Sequence, residues 1–310
     1  VMLAVMVFLV VTSFINTFYW PVHIWDSLTL YDIRGKIFAA TGFMNDAWFD
    51  SYYWGYPLLT SLAHTIVYLS GGKYPQFLYS LFYLSLGISI YGALREFTSR
   101  KISMLATLIL LTTQPIFYHS LLSLTNLPFT VYLFLGAVYV YLWDKKKQTG
   151  YLILSALFVG LSTWTRSVEP FWLGLLVVVF LVSVFRKKIW NILIFSLFFF
   201  PIHEAWKVFQ NSFTSKGTST VAEIIGYTGT IRAQFDISRW LQVAAYLYKY
   251  IAIPWGAIFA AFVLATASMF ILKIHRKLFL MFLLTYTLLG VFVTGSFVFR
   301  VGYAGTFASG

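Results

Sequence analysis

One short segment holds carboxylates and cations together: Trp25-Asp26-Ser27-Leu28-Thr29-Leu30-Tyr31-Asp32-Ile33-Arg34-Gly35-Lys36-Ile37-Phe38. An ionised Asp can take the proton of an attacking hydroxyl. Arg and Lys can hold the charge that grows on a departing phosphate, Arg through a two-pronged fork. Asp26 is the candidate base, and Arg34 and Lys36 are candidate anion ligands. As a helix, the segment places Asp26, Leu30, Ile33 and Ile37 on one face, with Arg34 and Lys36 on the flanks. Asp26 also fits an N-cap, accepting bonds from orphan amides of the first turn. Asp32 fits a solvated carboxylate or a partner for Lys36 at i+4.

Further candidates lie later in the chain. Arg166 comes three residues before Glu169 and fits either a phosphate ligand or a snorkelling arginine paired with that glutamate. His203, Glu204 and Lys207 surround Trp206 and form a polar group suited to an acceptor or a supporting contact. Asn126 fits an N-cap before Pro128. His23 and His119 could join Asp26 at a metal, but no ligand spacing supports it and the chain has no cysteine. No metal and no cofactor is expected.

Composition sets what must position these residues. Hydrophobic residues make up 60% of the 310 and charged residues 10%, with a mean hydropathy of +0.79. That little charge indicates an all-α polytopic membrane protein rather than a soluble domain. Runs near the roughly 20 residues a bilayer requires occur at 1–19, 75–94, 102–118, 127–143, 151–165, 170–185, 189–205, 251–272 and 278–299. Nine spans are expected within one transmembrane domain, 1–310. Val1 opens an apolar run with no basic n-region, so no signal peptide is recognised. The expectation is a piece of a longer chain that lacks a cytoplasmic start and later spans.

Charge orients the spans. Four short loops, 95–101, 145–147, 186–188 and 273–277, hold 12 of the 22 Lys and Arg residues. Short basic loops stay on the cytoplasmic side. Eight of the ten carboxylates lie elsewhere: Asp26, Asp32, Asp46, Asp50, Glu169, Glu204, Glu223 and Asp236. The net charge of +12 therefore points to membrane lipids as partners and not to nucleic acid. All four loops share a side only if 55–70 does not cross. That stretch, opened by Gly55 and Pro57 and closed by Gly71-Gly72, is expected as an interfacial or re-entrant helix. The outer side then carries a long first loop, 20–74, and a second, 206–250.

The segment WDSLTLYDIRGKIFAATG, followed by YWGYPLLTSL, resembles the first outer loop of the GT-C class of membrane glycosyltransferases. That class includes the dolichyl-phosphate-mannose protein mannosyltransferases and their bacterial relatives. Asp26 matches the class's catalytic Asp just beyond the first span. Arg34 and Lys36 match a basic pair of some bacterial members, and Pro57-Leu58 matches the Pro-Leu of the surface helix. GLSTWTRSVEP and LTNLPFTVYLFLGAVYVYLW resemble later spans of the class. Ser27 departs from the Asp-Glu that many mannosyltransferases carry.

The resemblance implies transfer of one sugar from a polyprenyl-phosphate donor to a glycan, lipid or protein hydroxyl. Asp26 is then the base at the outer face of the cell membrane, and Arg166, with Arg34 or Lys36, holds the phosphate. Chemistry asks for the same parts. Nucleotide sugars are made in the cytoplasm, so an outward-facing transferase needs its sugar on a lipid. Phosphate leaves readily, and what it needs is positive charge. Two other classes fit a polytopic chain. A transporter would show inverted repeats and charges in mid-span, and no expected span has a central charge. A non-catalytic lipid-binding subunit would tolerate loss of Asp26.

Overall fold

The computed structural model describes residues 1–43, 56–96, 98–166 and 169–213, with isolated positions beyond. All regular structure among the described residues is helical. The order is α1 (Met2–Tyr19), a π-helical turn (Ser27–Asp32), α2 (Ile33–Thr41), α3 (Leu59–Leu69), α4 (Phe77–Arg95), α5 (Arg100–Leu111), α6 (Gln114–Ser120), α7 (Asn126–Lys146), α8 (Thr149–Thr165), α9 (Glu169–Phe185) and α10 (Trp190–Phe213). Val1–Ser167 and Phe195–Lys216 form one compact unit. Val168–Ile194 and Gly217–Gly310 form a second, which holds α9 and the first turn of α10.

Among the described residues, four helices are long and apolar enough to cross a membrane: α1, α4, α7 and α10 over Trp190–Phe209. The expected span 102–118 is instead two helices, α5 and α6, bent by 69°. Pro115 in the first turn of α6 lacks the amide that a continuous helix would need. Counting that pair as one gives up to five candidate crossings among the described residues, where seven of the nine expected spans fall. α8 and α9 are shorter apolar helices of 17 residues each. The expected spans 251–272 and 278–299 lie outside the described residues.

α3 has 11 residues. At 1.5 Å per residue it is about 16 Å long, half of a hydrocarbon core of about 30 Å. It packs on α2 instead of spanning. Gly35 makes that approach possible: a Cβ there would lie 2.8 Å from His64 Cβ and 3.1 Å from the Ser61 carbonyl oxygen. Gly71 ends the segment at φ 80°, where glycine carries no steric penalty.

Inside the first unit, hydroxyls bind helices that have little hydrophobic reason to associate in lipid. Ser13 of α1 reaches Ser80 of α4 and Ser120 of α6, each at 2.8 Å, and Thr17 reaches Ser80 at 2.9 Å. α7 and α8 pair through the Ser155 hydroxyl, which donates to the Gly136 carbonyl at 2.8 Å, and through stacked Tyr139 and Phe158. At the other end of the bundle, Lys146 Nζ lies 2.9 Å from Glu96 Oε2. That bridge joins the ends of α4 and α7, so the first two basic loops share one side, as the charge pattern requires.

Candidate functional site

The π-helical turn decides which residues of the first loop face inward. The Ile33 amide bonds back to the Leu28 carbonyl, five residues away. One extra residue in a turn rotates everything after it by about 100° relative to an α-helix. The expected face of Asp26, Leu30, Ile33 and Ile37 is therefore corrected. Ile33 is 48% exposed, while Ser27, Leu30, Tyr31, Asp32, Arg34, Gly35 and Phe38 are buried. Of the four residues expected on one face, Leu30 is buried and Ile37 partly buried while Asp26 and Ile33 are exposed, and the inward face carries Ser27, Tyr31, Asp32 and Arg34 as well.

Asp26 stands at the head of the turn in αR conformation and makes no side-chain capping bond. It is exposed, so the N-cap reading does not hold. Its carboxylate acts electrostatically on the Tyr31 hydroxyl, as do Arg166 and Arg34. Burial is the largest influence on that phenol and raises its pKa. Tyr31 Oη lies 3.3 Å from Thr125 Oγ1. Arg34 sits with its guanidinium carbon 5.8 Å from the Tyr31 ring centroid and donates to the Tyr56 carbonyl at 2.9 Å. Burial lowers its pKa to about 10, so it keeps its charge at neutral pH. With 1% exposure, Arg34 braces the site from within, and the surface cation is Arg166.

Arg166 ends α8 in extended backbone and is exposed. Its guanidinium donates to Asn126 Oδ1 in a short hydrogen bond. Asn126 is the first residue of α7, and Thr125 occupies the cap position without a side-chain bond. The Thr125-Asn126 pair thus draws Tyr31 and Arg166 to the start of one helix. The expected Arg166–Glu169 pair is not described: Glu169 opens α9 in the second unit, and its side chain lies outside the described residues.

Asp32 and Lys36 belong to a separate cluster. Lys36 Nζ is 2.8 Å from Asp32 Oδ2, the i+4 pairing that the spacing predicts. Asp32 is buried rather than solvated. Its Oδ1 accepts a short bond from the Tyr68 hydroxyl and lies 3.3 Å from His64 Nδ1. The latter is an ion-pair distance, off the line of a good hydrogen bond. His64 Nε2 is 3.2 Å from the Tyr79 hydroxyl. Burial raises the Asp32 pKa, but contacts with His64, Lys36 and Tyr68 outweigh it and hold the carboxyl at about 2. Burial and Asp32 push the Tyr68 phenol up. A carboxylate held that firmly is a poor proton acceptor. Lys36 is therefore committed to Asp32, and the two do not join Asp26.

His203, Glu204 and Lys207 lie inside α10, which runs to Phe213 and so displaces the expected start of the loop 206–250. His203 and Lys207 are buried. His203 Nε2 is 3.8 Å from Glu204 Oε1, and its ring stacks on Phe199. Their neighbour Trp206 packs with Phe38 and Leu58 in a buried apolar cluster. Beside that cluster runs an open groove of about 540 Å³, lined by Phe38, Leu58, Leu62, Leu69, Trp164 and Phe209 among others. Some of its lining residues are close in sequence to the polar residues. Phe38 is one turn from Arg34, Leu58 follows the Pro57 carbonyl beside Arg34, and Trp164 is two residues from Arg166. Among the described residues, no three His, Asp or Glu side chains come together as metal ligands.

Tyr31, Thr125, Asn126, His64 and Tyr68 enter these contacts and were not singled out for them by sequence. His64 gives one signal in hindsight: an ionisable residue amid Leu-Ala-His-Thr-Ile-Val must find a polar partner if it is buried. Comparison with family models, curated proteins and solved structures finds no match for this chain.

Proposed function

We propose that this membrane protein is a glycosyltransferase of the GT-C type. It moves one sugar from a polyprenyl-phosphate donor to an acceptor hydroxyl at the outer face of the cell membrane. The observation that carries the reading is that Arg34 lies over the Tyr31 ring while Tyr31 and Arg166 meet neighbouring residues, Thr125 and Asn126, at the start of α7, with an apolar groove in the same unit and an exposed Asp26 one residue before the π turn. A lipid phosphate needs both a cationic head site and an apolar channel for its tail. The groove's size suits a drug-sized segment, so it takes the phosphate-proximal part of the prenyl chain while the remainder lies in lipid.

Asp26 accepts the proton of the acceptor hydroxyl. The oxygen attacks the anomeric carbon, the bond from that carbon to the phosphate oxygen breaks, and polyprenyl phosphate leaves with the electron pair. The anomeric configuration inverts. Arg166 holds the developing phosphate charge, with Arg34 adding positive potential from behind Tyr31. Asp26 is exposed and uncommitted to a cap, which suits a base that must meet an incoming hydroxyl.

Asp26→Asn is the test, since Asn keeps the shape and loses the basicity. With polyprenyl-phosphate sugars from a lipid extract followed by mass spectrometry, wild type consumes a donor. The variant folds, binds that donor and loses turnover by roughly 10²-fold or more. A folded Asp26→Asn protein with near-native turnover refutes the assignment. If wild type consumes no donor, the groove instead fits a lipid-binding subunit without catalysis.

A further inference from the structure

Hydrogen-bond direction around Asn126 constrains a histidine that the proposed chemistry does not use. A guanidinium has donors only. The amide atom facing Arg166 must therefore be Oδ1, as found, and Nδ2 must face the other way. It lies 3.4 Å from His119 Nε2 on α6. Nδ2 is a donor, so Nε2 has to accept. An imidazole nitrogen accepts only when it carries no proton, which makes His119 neutral with its proton on Nδ1. Nδ1 has no hydrogen-bond partner among the described residues, so no other contact fixes the ring's state.

We propose that His119 and Asn126 form a pH-gated positioning pair for Arg166. With His119 neutral, Asn126 presents its carbonyl to Arg166 and holds the guanidinium at the start of α7. With His119 protonated, Nε2–H becomes a donor. The Asn126 amide turns over to accept from it, Nδ2 then faces Arg166, and two donors oppose each other. Arg166 is released from its orientation.

The surroundings leave this gate to the histidine. Arg166 is the charged group that acts on His119. Tyr118 flanks it, ring centroids 6.0 Å apart. Toward α6, helices α1 and α4 present Ser13, Ser80 and Tyr83, while α5 leads into it through Thr112 and Thr113. None of these carries charge near neutral pH. Arg166 and Asn126 are thus positioning partners whether or not a phosphate binds. Only the consequence for ligand binding rests on the function proposed above.

Two measurements on the full chain in lipid nanodiscs test the pair. In ¹⁵N-histidine spectra, His119 is the signal missing from His119→Gln. The expected state at about pH 7 is neutral and protonated on Nδ1. An Nε2–H tautomer or a doubly protonated ring at that pH overturns the proposal. The second measurement is the affinity for methyl farnesyl phosphate, a diester whose single charge does not titrate near neutrality. As the pH falls from about 8 until the ¹⁵N signal of His119 shows its second proton, wild type loses on the order of tenfold, the value of one charge-assisted hydrogen bond. His119→Gln offers an amide oxygen to Asn126 at every pH and holds its affinity. An equal acid loss in His119→Gln overturns the gate. If no diester binds at any pH while the expected tautomer is present, the phosphate reading falls and the positioning pair stands.

Discussion

Asp32→Asn should undock α3 while leaving the rest of the first unit in place. The carboxylate is the meeting point of Lys36 from α2 and of His64 and Tyr68 from α3. Docking lowers its pKa from 3.8 to about 2, nearly two units. At about 1.4 kcal/mol per unit, and with Lys36 supplying its part of the shift whether or not α3 is docked, the ionised side chain contributes on the order of 1 kcal/mol to the docked state. Asn keeps an acceptor for Tyr68 but loses the attraction to Lys36 and His64. Amide exchange over residues 59–69, followed by mass spectrometry, should quicken roughly fivefold. The folded pKa is the depressed one, so this stabilisation is fully present above about pH 4 and fades as the pH falls through about 2. The gap between wild type and variant should close over that window. Equal exchange at neutral pH, or a gap that persists at about pH 2, refutes the latch.

Other changes probe the same region. Arg166→Ala should weaken donor use strongly and Arg166→Lys restore it only in part, because a point charge replaces a fork; an unchanged donor affinity in Arg166→Ala makes the residue an interfacial anchor. Gly35→Ala pushes a methyl to 2.8 Å from His64 Cβ and should cost about 1–3 kcal/mol of α2–α3 docking, read as faster exchange in both helices. Single cysteines at Lys73 and Arg100, both exposed, should react with an impermeant thiol reagent from opposite sides of the membrane; labelling from one side rejects the topology.

What the sequence made legible follows from which forces act locally. The helices α1, α4, α7 and α10 were readable from runs of apolar residues, and the shared end of the first two basic loops from charge, because both depend on composition alone; the break within 102–118 was not. The Lys36–Asp32 pair was readable from i+4 spacing. The inward face of Ser27 to Phe38 was not. Periodicity assumes a continuous α-helix with its apolar face inside, and both assumptions fail here. The π turn shifts the register, and the interior that the segment meets is polar. Asp32 finds His64 and Tyr68 there, and Arg34 finds the carbonyl of Tyr56. None of these partners lies within a helical turn in sequence, so spacing could not name them. The same holds for Arg166, whose acceptor Asn126 is 40 residues away. Local rules break where a chain places charge inward against its own hydrophobic pattern, and such breaks gather at functional sites. In this protein the break separates two aspartates that look alike in sequence. Asp32 is bound down by three side chains, and Asp26, just before the π turn, is exposed and makes no capping bond. That contrast in commitment, more than any motif, is why Asp26 and not Asp32 is the base in the function we propose.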